Sequence, residues 1–273
     1  MVLYIAAGRR IESAIKKDFE KAQGVLKKDK GICIRTTDYS ESSQILTFFT
    51  ADTGKLNVIA KGAKRPKSPF GGPVGLFSAG DMVFSFRDGE KLATLTEFNP
   101  TFFGFEIRKK LLALNCALFA CELLNLFTKE LDPHPAMFNE ALVFLQRLEK
   151  SPNDRVLHLL ILFEFALLSE TGSQPVCNCC ANCKRKFSAD WREFHFSVSA
   201  NGLLCRDCES AFIDKKVITA ETAKCLNQPQ SLLQADNSVL VSIQNILIEY
   251  ITYILEKPPR TAIMILKLIN TSK

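Results

Sequence analysis

GICIRTTDYSESSQILTFFTADTGKLNVIA, residues 31–60, sets the architecture of the chain's first half. Apolar and polar residues alternate along it in three short runs rich in Ile, Val, Phe and Thr, the period of half-buried strands. The spacing predicts strands over 31–37, 43–50 and 55–60, with Asp52-Thr53-Gly54 as the tight turn between the last two. The same period returns at 81–86 and 92–98, joined by a turn at Asp88-Gly89. Between the third and fourth runs lies a long join, 61–80, carrying Gly and Pro. Five short strands with one long join after the third match the Greek-key barrel known as the OB-fold, whose open face commonly takes single-stranded nucleic acid.

Beyond Pro100 the period becomes helical. Helices are expected over 105–129, from Pro135 to about Lys150, and from 151 to Thr171-Gly172, the last with Ser151 as cap and Pro152 in its first turn. Further helices are expected near 209–215 and 220–226, over 238–255 up to Pro258-Pro259, and over 261–270.

Into this helical half is set a cysteine-rich stretch: six of the ten cysteines, Cys177, Cys179, Cys180, Cys183, Cys205 and Cys208, fall within 32 residues. Two Cys-x-x-Cys pairs a couple of dozen residues apart suit tetrahedral zinc, because each tight turn aims two thiolates at one point. Cys180, Cys183, Cys205 and Cys208 form the favoured set, with 184–187 closing the first knuckle and Asn201-Gly202 turning a hairpin between the pairs. Cys177 with Cys180 is also a legal first pair, and His195 is a further, less well spaced donor. A disulfide cluster is the other reading, but no secretory signal precedes the stretch, and Cys33, Cys116, Cys121 and Cys225 are scattered in apolar segments like core residues. Four thiolates leave no open position for water, so the metal would be structural.

With 35 basic and 29 acidic residues the net charge is only +6, so the distribution of charge matters more than its total. Lys55, Lys61, Lys64, Arg65 and Lys67 fall within 13 residues that hold no acid. They are carried at a barrel edge on a loop suited to phosphates. A solvated basic loop is the ordinary alternative. Arg108-Lys109-Lys110 stands at the start of the first helix, where cations oppose the helix dipole and an external anion would relieve them. Lys184-Arg185-Lys186 could extend a basic track. An outward-facing phenylalanine among Phe48, Phe49, Phe84 and Phe86 could stack a base.

Residues 8–28 have the spacing of a basic amphipathic helix, an extension or interaction arm. Asn115, Glu122, His158 and Glu164 interrupt the longest apolar runs, so no membrane span and a soluble protein are expected. His134, His158 and His195 stand far apart with no triad or paired-carboxylate spacing, which argues against an enzyme.

At this point several segments resemble bacterial RecO: Gly31 to Arg35, Tyr39 to Ser43 leading to Thr50, and Gly54 through Lys61-Gly62-Ala63-Lys64-Arg65 to Ser68. Leu92 to Glu97, Cys121 to Leu124, and Phe163-Glu164 to Gly172 followed by the four cysteines are similar to it as well. The likeness spans about residues 25–265. It implies a mediator without enzymatic turnover that binds single- and double-stranded DNA and anneals complementary strands. It also implies pairing with RecR, contact with the C-terminal tail of the single-stranded-DNA-binding protein, and help in loading RecA. Carried over by position, Arg35, Lys55, Lys61, Lys64, Arg65 and Lys67 would hold phosphates, and Cys180, Cys183, Cys205 and Cys208 would hold zinc. Residues 1–30 and the surplus Cys177 and Cys179 depart from the family's pattern.

The expected architecture is therefore α+β and multidomain: an extension over 1–28, an OB-fold over 29–104, a helical domain over 105–176 and 209–273, and an inserted zinc module over 177–208. A cytoplasmic, nucleoid-associated bacterial protein is expected. The rival reading is a zinc-stabilised protein-interaction scaffold.

Overall fold

The structure, a computed structural model, describes residues 25–86, 92–188 and 191–271. It divides into two compact units, Met1–Phe103 with Lys129–Phe138, and Gly104–Thr128 with Asn139–Lys273.

The first unit is a closed barrel of β1 (Val25–Asp38), β2 (Gln44–Thr50), β3 (Lys55–Ala60), β4 (Ala79–Phe86) and β5 (Ala93–Phe102), in the order β1-β2-β3-β5-β4. Neighbours are antiparallel except β3 and β5, which run parallel where the barrel closes. This is the expected OB-fold. Alternation fills its interior with Cys33, Leu46, Phe48, Val58, Met82, Phe84 and Leu95, all at or near complete burial. The basic helix expected over 8–28 falls mostly on residues 1–24, outside the described residues; Val25–Lys28 are instead strand. Their side chains are exposed, and the backbone is held by pairing with β4, Val25 opposite Phe86 and Lys28 opposite Val83.

The long join after β3 is tied down. Gln44 clamps it by accepting from the Val74 N–H at 2.9 Å and donating to the Val74 carbonyl at 3.4 Å. The segment 129–138 lies on the barrel and not among the helices. Leu131 N–H donates to the Lys55 carbonyl at 3.0 Å, Asn57 Nδ2 donates to Glu130 at 2.5 Å, and Phe138 meets Phe49 with ring centroids 6.5 Å apart. Gly54 makes the approach possible. It sits at φ +84°, and a Cβ there would lie 2.3 Å from the Asp132 carbonyl oxygen.

The second unit holds α1 (Leu111–Phe127), most of α2 (Pro135–Lys150), α3 (Asn153–Glu170), α4 (Ala220–Asn227), α5 (Asn237–Leu255) and α6 (Ala262–Thr271). α3 packs on α1 and α5, and α6 on α1 and α5. Where α3 faces α5, the fully buried Glu164 accepts from Gln244 Nε2 at 2.9 Å, and burial holds its carboxyl well above the ordinary range. Ser151 does not cap α3. Its N–H closes the end of α2 on the Arg147 carbonyl at 2.9 Å, and Pro152 takes the cap position with no side-chain cap bond. The 209–215 helix shrinks to a single 3₁₀ turn, Glu209–Ala211. α5 has the length and composition of a membrane span despite Gln244, Asn245 and Glu249, contrary to the reading of apolar runs; nine of its residues are buried in this unit. The cysteine stretch contributes β6 (Phe194–Ser197) and β7 (Gly202–Cys205), the expected hairpin. It is joined by β8 (Lys216–Ile218), which has no counterpart in the sequence reading.

Candidate nucleic-acid interface and metal centre

The metal centre is assembled from two turns and a hairpin. The first knuckle closes through Lys184 N–H to the Cys180 carbonyl at 2.9 Å and Cys180 N–H to the Arg185 carbonyl at 2.8 Å, with Lys184 itself at φ +62°. Cys205 ends β7, and Cys208 follows in a turn closed by its N–H to the Cys205 carbonyl at 3.0 Å. The sulfurs of Cys180, Cys183, Cys205 and Cys208 lie within 4.8 Å of one another, Cys183 and Cys205 at 3.8 Å. A tetrahedral zinc with Zn–S of about 2.3 Å holds its sulfurs roughly 3.8 Å apart, so the donor set fits that ion in type, number and size. Burial works against ionising Cys180. The backbone N–H groups of Cys205, Cys183 and Asn182 outweigh it and bring its thiol down to about 7, the direction a metal ligand needs. Cys177 and Cys179 stand outside the cluster, Cys177 with its thiol pushed up to about 12 by burial. His195 is buried in β6 and is not among the gathered donors.

The basic loop on the barrel is a folded turn. Arg65 N–H donates to the Gly62 carbonyl at 3.1 Å, Lys64 N–H to the Ser42 carbonyl at 3.1 Å, and Gly62 N–H to Ser43 Oγ at 3.3 Å. The loop is thus fastened to the β1–β2 turn. Lys64 also pairs with Asp38 at 2.6 Å. Lys61, Arg65 and Lys67 are exposed and form no ion pair with a described residue. Arg35 is exposed on β1, on a cross-strand row through Thr47 and Asn57.

Lys55 departs from the sequence expectation. Segment 129–138 covers its side of β3, leaving it 9% exposed, and burial lowers its pKa despite the nearby Glu130 carboxylate. It therefore does not face solvent with the others. Arg108, Lys109 and Lys110 have partners within the chain. Lys110 Nζ donates to the Ser151 and Glu149 carbonyls at 2.8 and 3.2 Å, at the negative end of α2, and Lys109 pairs with Glu106 at 2.6 Å. The Arg108 guanidinium donates to the Gly104 carbonyl and lies 5.9 Å from the Phe105 ring centre. As for an outward phenylalanine, Phe48, Phe49 and Phe84 are fully buried and Phe86 half-buried. The well-exposed aromatic beside the basic loop is Tyr39, 62% exposed. The sequence reading passed over it; its signal was position, in the turn Asp38–Ser43 between two strands.

Two family models match the chain, Recombination protein O N terminal over residues 25–102 and Recombination protein O C terminal over 108–262. DNA repair protein RecO from Bacillus pumilus and that from Bacillus subtilis are each 31% identical over 202 residues, covering 74% of this chain and 76% of the relative. DNA repair protein RecO from Listeria monocytogenes is 31% identical over 183 residues, 67% of this chain and 69% of the relative. With both halves matched and these relatives covered over most of their length, the chain belongs to the RecO family.

Proposed function

We propose that this chain is a non-enzymatic mediator of recombinational DNA repair in the bacterial cytoplasm, at the nucleoid. It binds single- and double-stranded DNA, anneals complementary strands, and helps load RecA together with RecR. The tail of the single-stranded-DNA-binding protein is a further partner. The observation that carries the reading is the Lys61–Lys67 turn, fastened to Ser42 and Ser43 on an OB barrel, in a chain of the RecO family. Lys61, Lys64, Arg65, Lys67 and Arg35 hold the phosphates, while Lys55 and Lys110 serve the fold. Cations on the backbone leave the base edges unengaged, which is the condition for pairing with a second strand. Structural zinc on Cys180, Cys183, Cys205 and Cys208 would fix the inserted module.

The test is fluorescence anisotropy of labelled single-stranded DNA over a salt series, comparing the wild type with the Lys61, Lys64, Arg65 and Lys67 to Ala variant. Each lost phosphate contact flattens the log–log salt slope by about 0.7, so a change of about 2–3 is expected along with weaker binding. An unchanged slope refutes the assignment.

The scaffold reading has one observation of its own. In the second unit an apolar cleft of about 480 Å³ is lined by Val198, Ala211, Phe212, Ile213 and Tyr253, with Ile213 fully exposed. Folded protein that binds no DNA at low salt would favour it.

A further inference from the structure

The β1–β2 turn that anchors the basic loop also presents an aromatic ring. Tyr39 is 62% exposed, and its hydroxyl makes no hydrogen bond to a described residue. Its backbone is fixed: Tyr39 N–H donates to the Ser43 carbonyl at 3.1 Å, and the Ser43 N–H returns to Ser40 Oγ at 3.2 Å. On one side Asp38 holds Lys64 at 2.6 Å, and on the other Ser42 and Ser43 hold the backbone of Lys64 and Gly62. An exposed tyrosine is thereby tethered, within one hydrogen-bonded assembly, to Lys61, Lys64, Arg65 and Lys67. The ring is open to solvent on a backbone that these bonds fix.

We propose that Tyr39 stacks on an unpaired base of the strand whose phosphates the basic turn holds, and so favours single-stranded over duplex DNA at this site. The proposal rests on the DNA-binding reading above. Stacking uses the face of a base and leaves its pairing edge free, so a base parked on Tyr39 remains open to a complementary strand. Duplex bases are already stacked on one another and offer the ring no free face.

Stacking and phosphate contact leave different signatures in a salt series. Phosphate contact releases counterions and sets the slope; stacking releases none and moves only the intercept. For Tyr39→Ala we expect single-stranded DNA affinity to fall about 5- to 100-fold at every salt concentration with the slope unchanged, the range of one lost base stack. Duplex affinity should change less than about twofold. Tyr39→Phe keeps the ring and should bind like the wild type, and a single 2-aminopurine in the strand should show a fluorescence change on binding to wild type and Tyr39→Phe only. Thermal midpoints confirm that the variants are folded, as expected for an exposed side chain.

Three results overturn the proposal. Single-stranded affinity unchanged in Tyr39→Ala while the four-cation variant is weakened removes Tyr39 and leaves the phosphate reading intact. Equal losses on single-stranded and duplex DNA with a flattened slope assign Tyr39 to positioning the cations. No binding by the folded wild type at low salt removes both readings together.

Discussion

Loss of the metal is expected to open the inserted module, and the chain carries its own reporter for that event. The module's cluster of buried side chains consists of Cys180, Leu204, Cys205 and Cys208, with Trp191, Phe212, Ala181 and Ala200 packed around it. Only Leu204 is a large aliphatic side chain at full burial there, worth about 1.5–3 kcal/mol. Structural zinc contributes roughly 10–16 kcal/mol in zinc-finger peptides, several times more, so the metal dominates this cluster. The single tryptophan of the chain, Trp191, is stacked on Phe194 with ring centroids 5.9 Å apart and planes at 21°, and lies 5.8 Å from Phe187. Its emission therefore reports the module alone. Wild-type protein should carry one zinc by elemental analysis. Chelation, or Cys205→Ser, should remove the zinc and shift Trp191 emission to the red, while far-ultraviolet circular dichroism loses only a small fraction. Metal-free protein with unchanged Trp191 emission would refute the reasoning, as would a full zinc complement in Cys205→Ser.

Glu164→Gln should flatten the pH dependence of stability. The native carboxyl titrates well above its ordinary 4.5, so its favourable contribution is complete below that value and is lost as pH rises from 4.5 towards the native pKa. Thermal midpoints taken between pH 4 and 8 check this, and parallel curves for the two proteins would sink it. Gly54→Ala should cost at least about 2 kcal/mol in urea unfolding, combining a left-handed backbone with a Cβ 2.3 Å from the Asp132 carbonyl oxygen. Gly71→Ala, at φ +70° with nothing within 4 Å, should cost only about 1–2 kcal/mol; equal losses would show that the contact with Asp132 is not the cause. Glu122 accepts from the N–H groups of Arg260 and Thr261 at 2.7 and 2.8 Å, capping α6 from another helix. Glu122→Ala should lower hydrogen-exchange protection along α6 by about 0.5–2 kcal/mol, and unchanged protection would deny the cap its role.

What could be read from sequence follows the range of the interactions concerned. β2 and β3 fall within a residue of their expected bounds, because alternation, β-branched residues and a glycine turn are all local. Val25–Lys28 reads as solvated or helical because its strand state is imposed by β4, more than fifty residues downstream. β8 spans three residues with two exposed, too short to carry a period. The four cysteines announce themselves through spacing, whereas the exclusion of Cys177 depends on which sulfurs the fold gathers within 4.8 Å of one another. Lysine by lysine the lesson repeats. Lys61, Arg65 and Lys67 are exposed as their loop composition implies. Lys55 and Lys110 look the same in sequence and are claimed by carbonyls, carboxylates and chain segments that arrive from elsewhere in the chain.

The brace formed by Lys129–Phe138 also bears on how the protein is made. All five strands have been synthesised by Phe102, yet the segment that covers Lys55, receives Asn57 and faces Phe49 is translated only after α1. At about 5–20 residues per second the ribosome takes roughly 2–7 s to cover the intervening 35 or so residues. For that interval a nascent barrel would display Phe49 and the Lys55 edge of β3 to whatever is nearby, chaperones included. The same delay means that a barrel fragment cut at Phe103 would be left permanently in this unbraced condition.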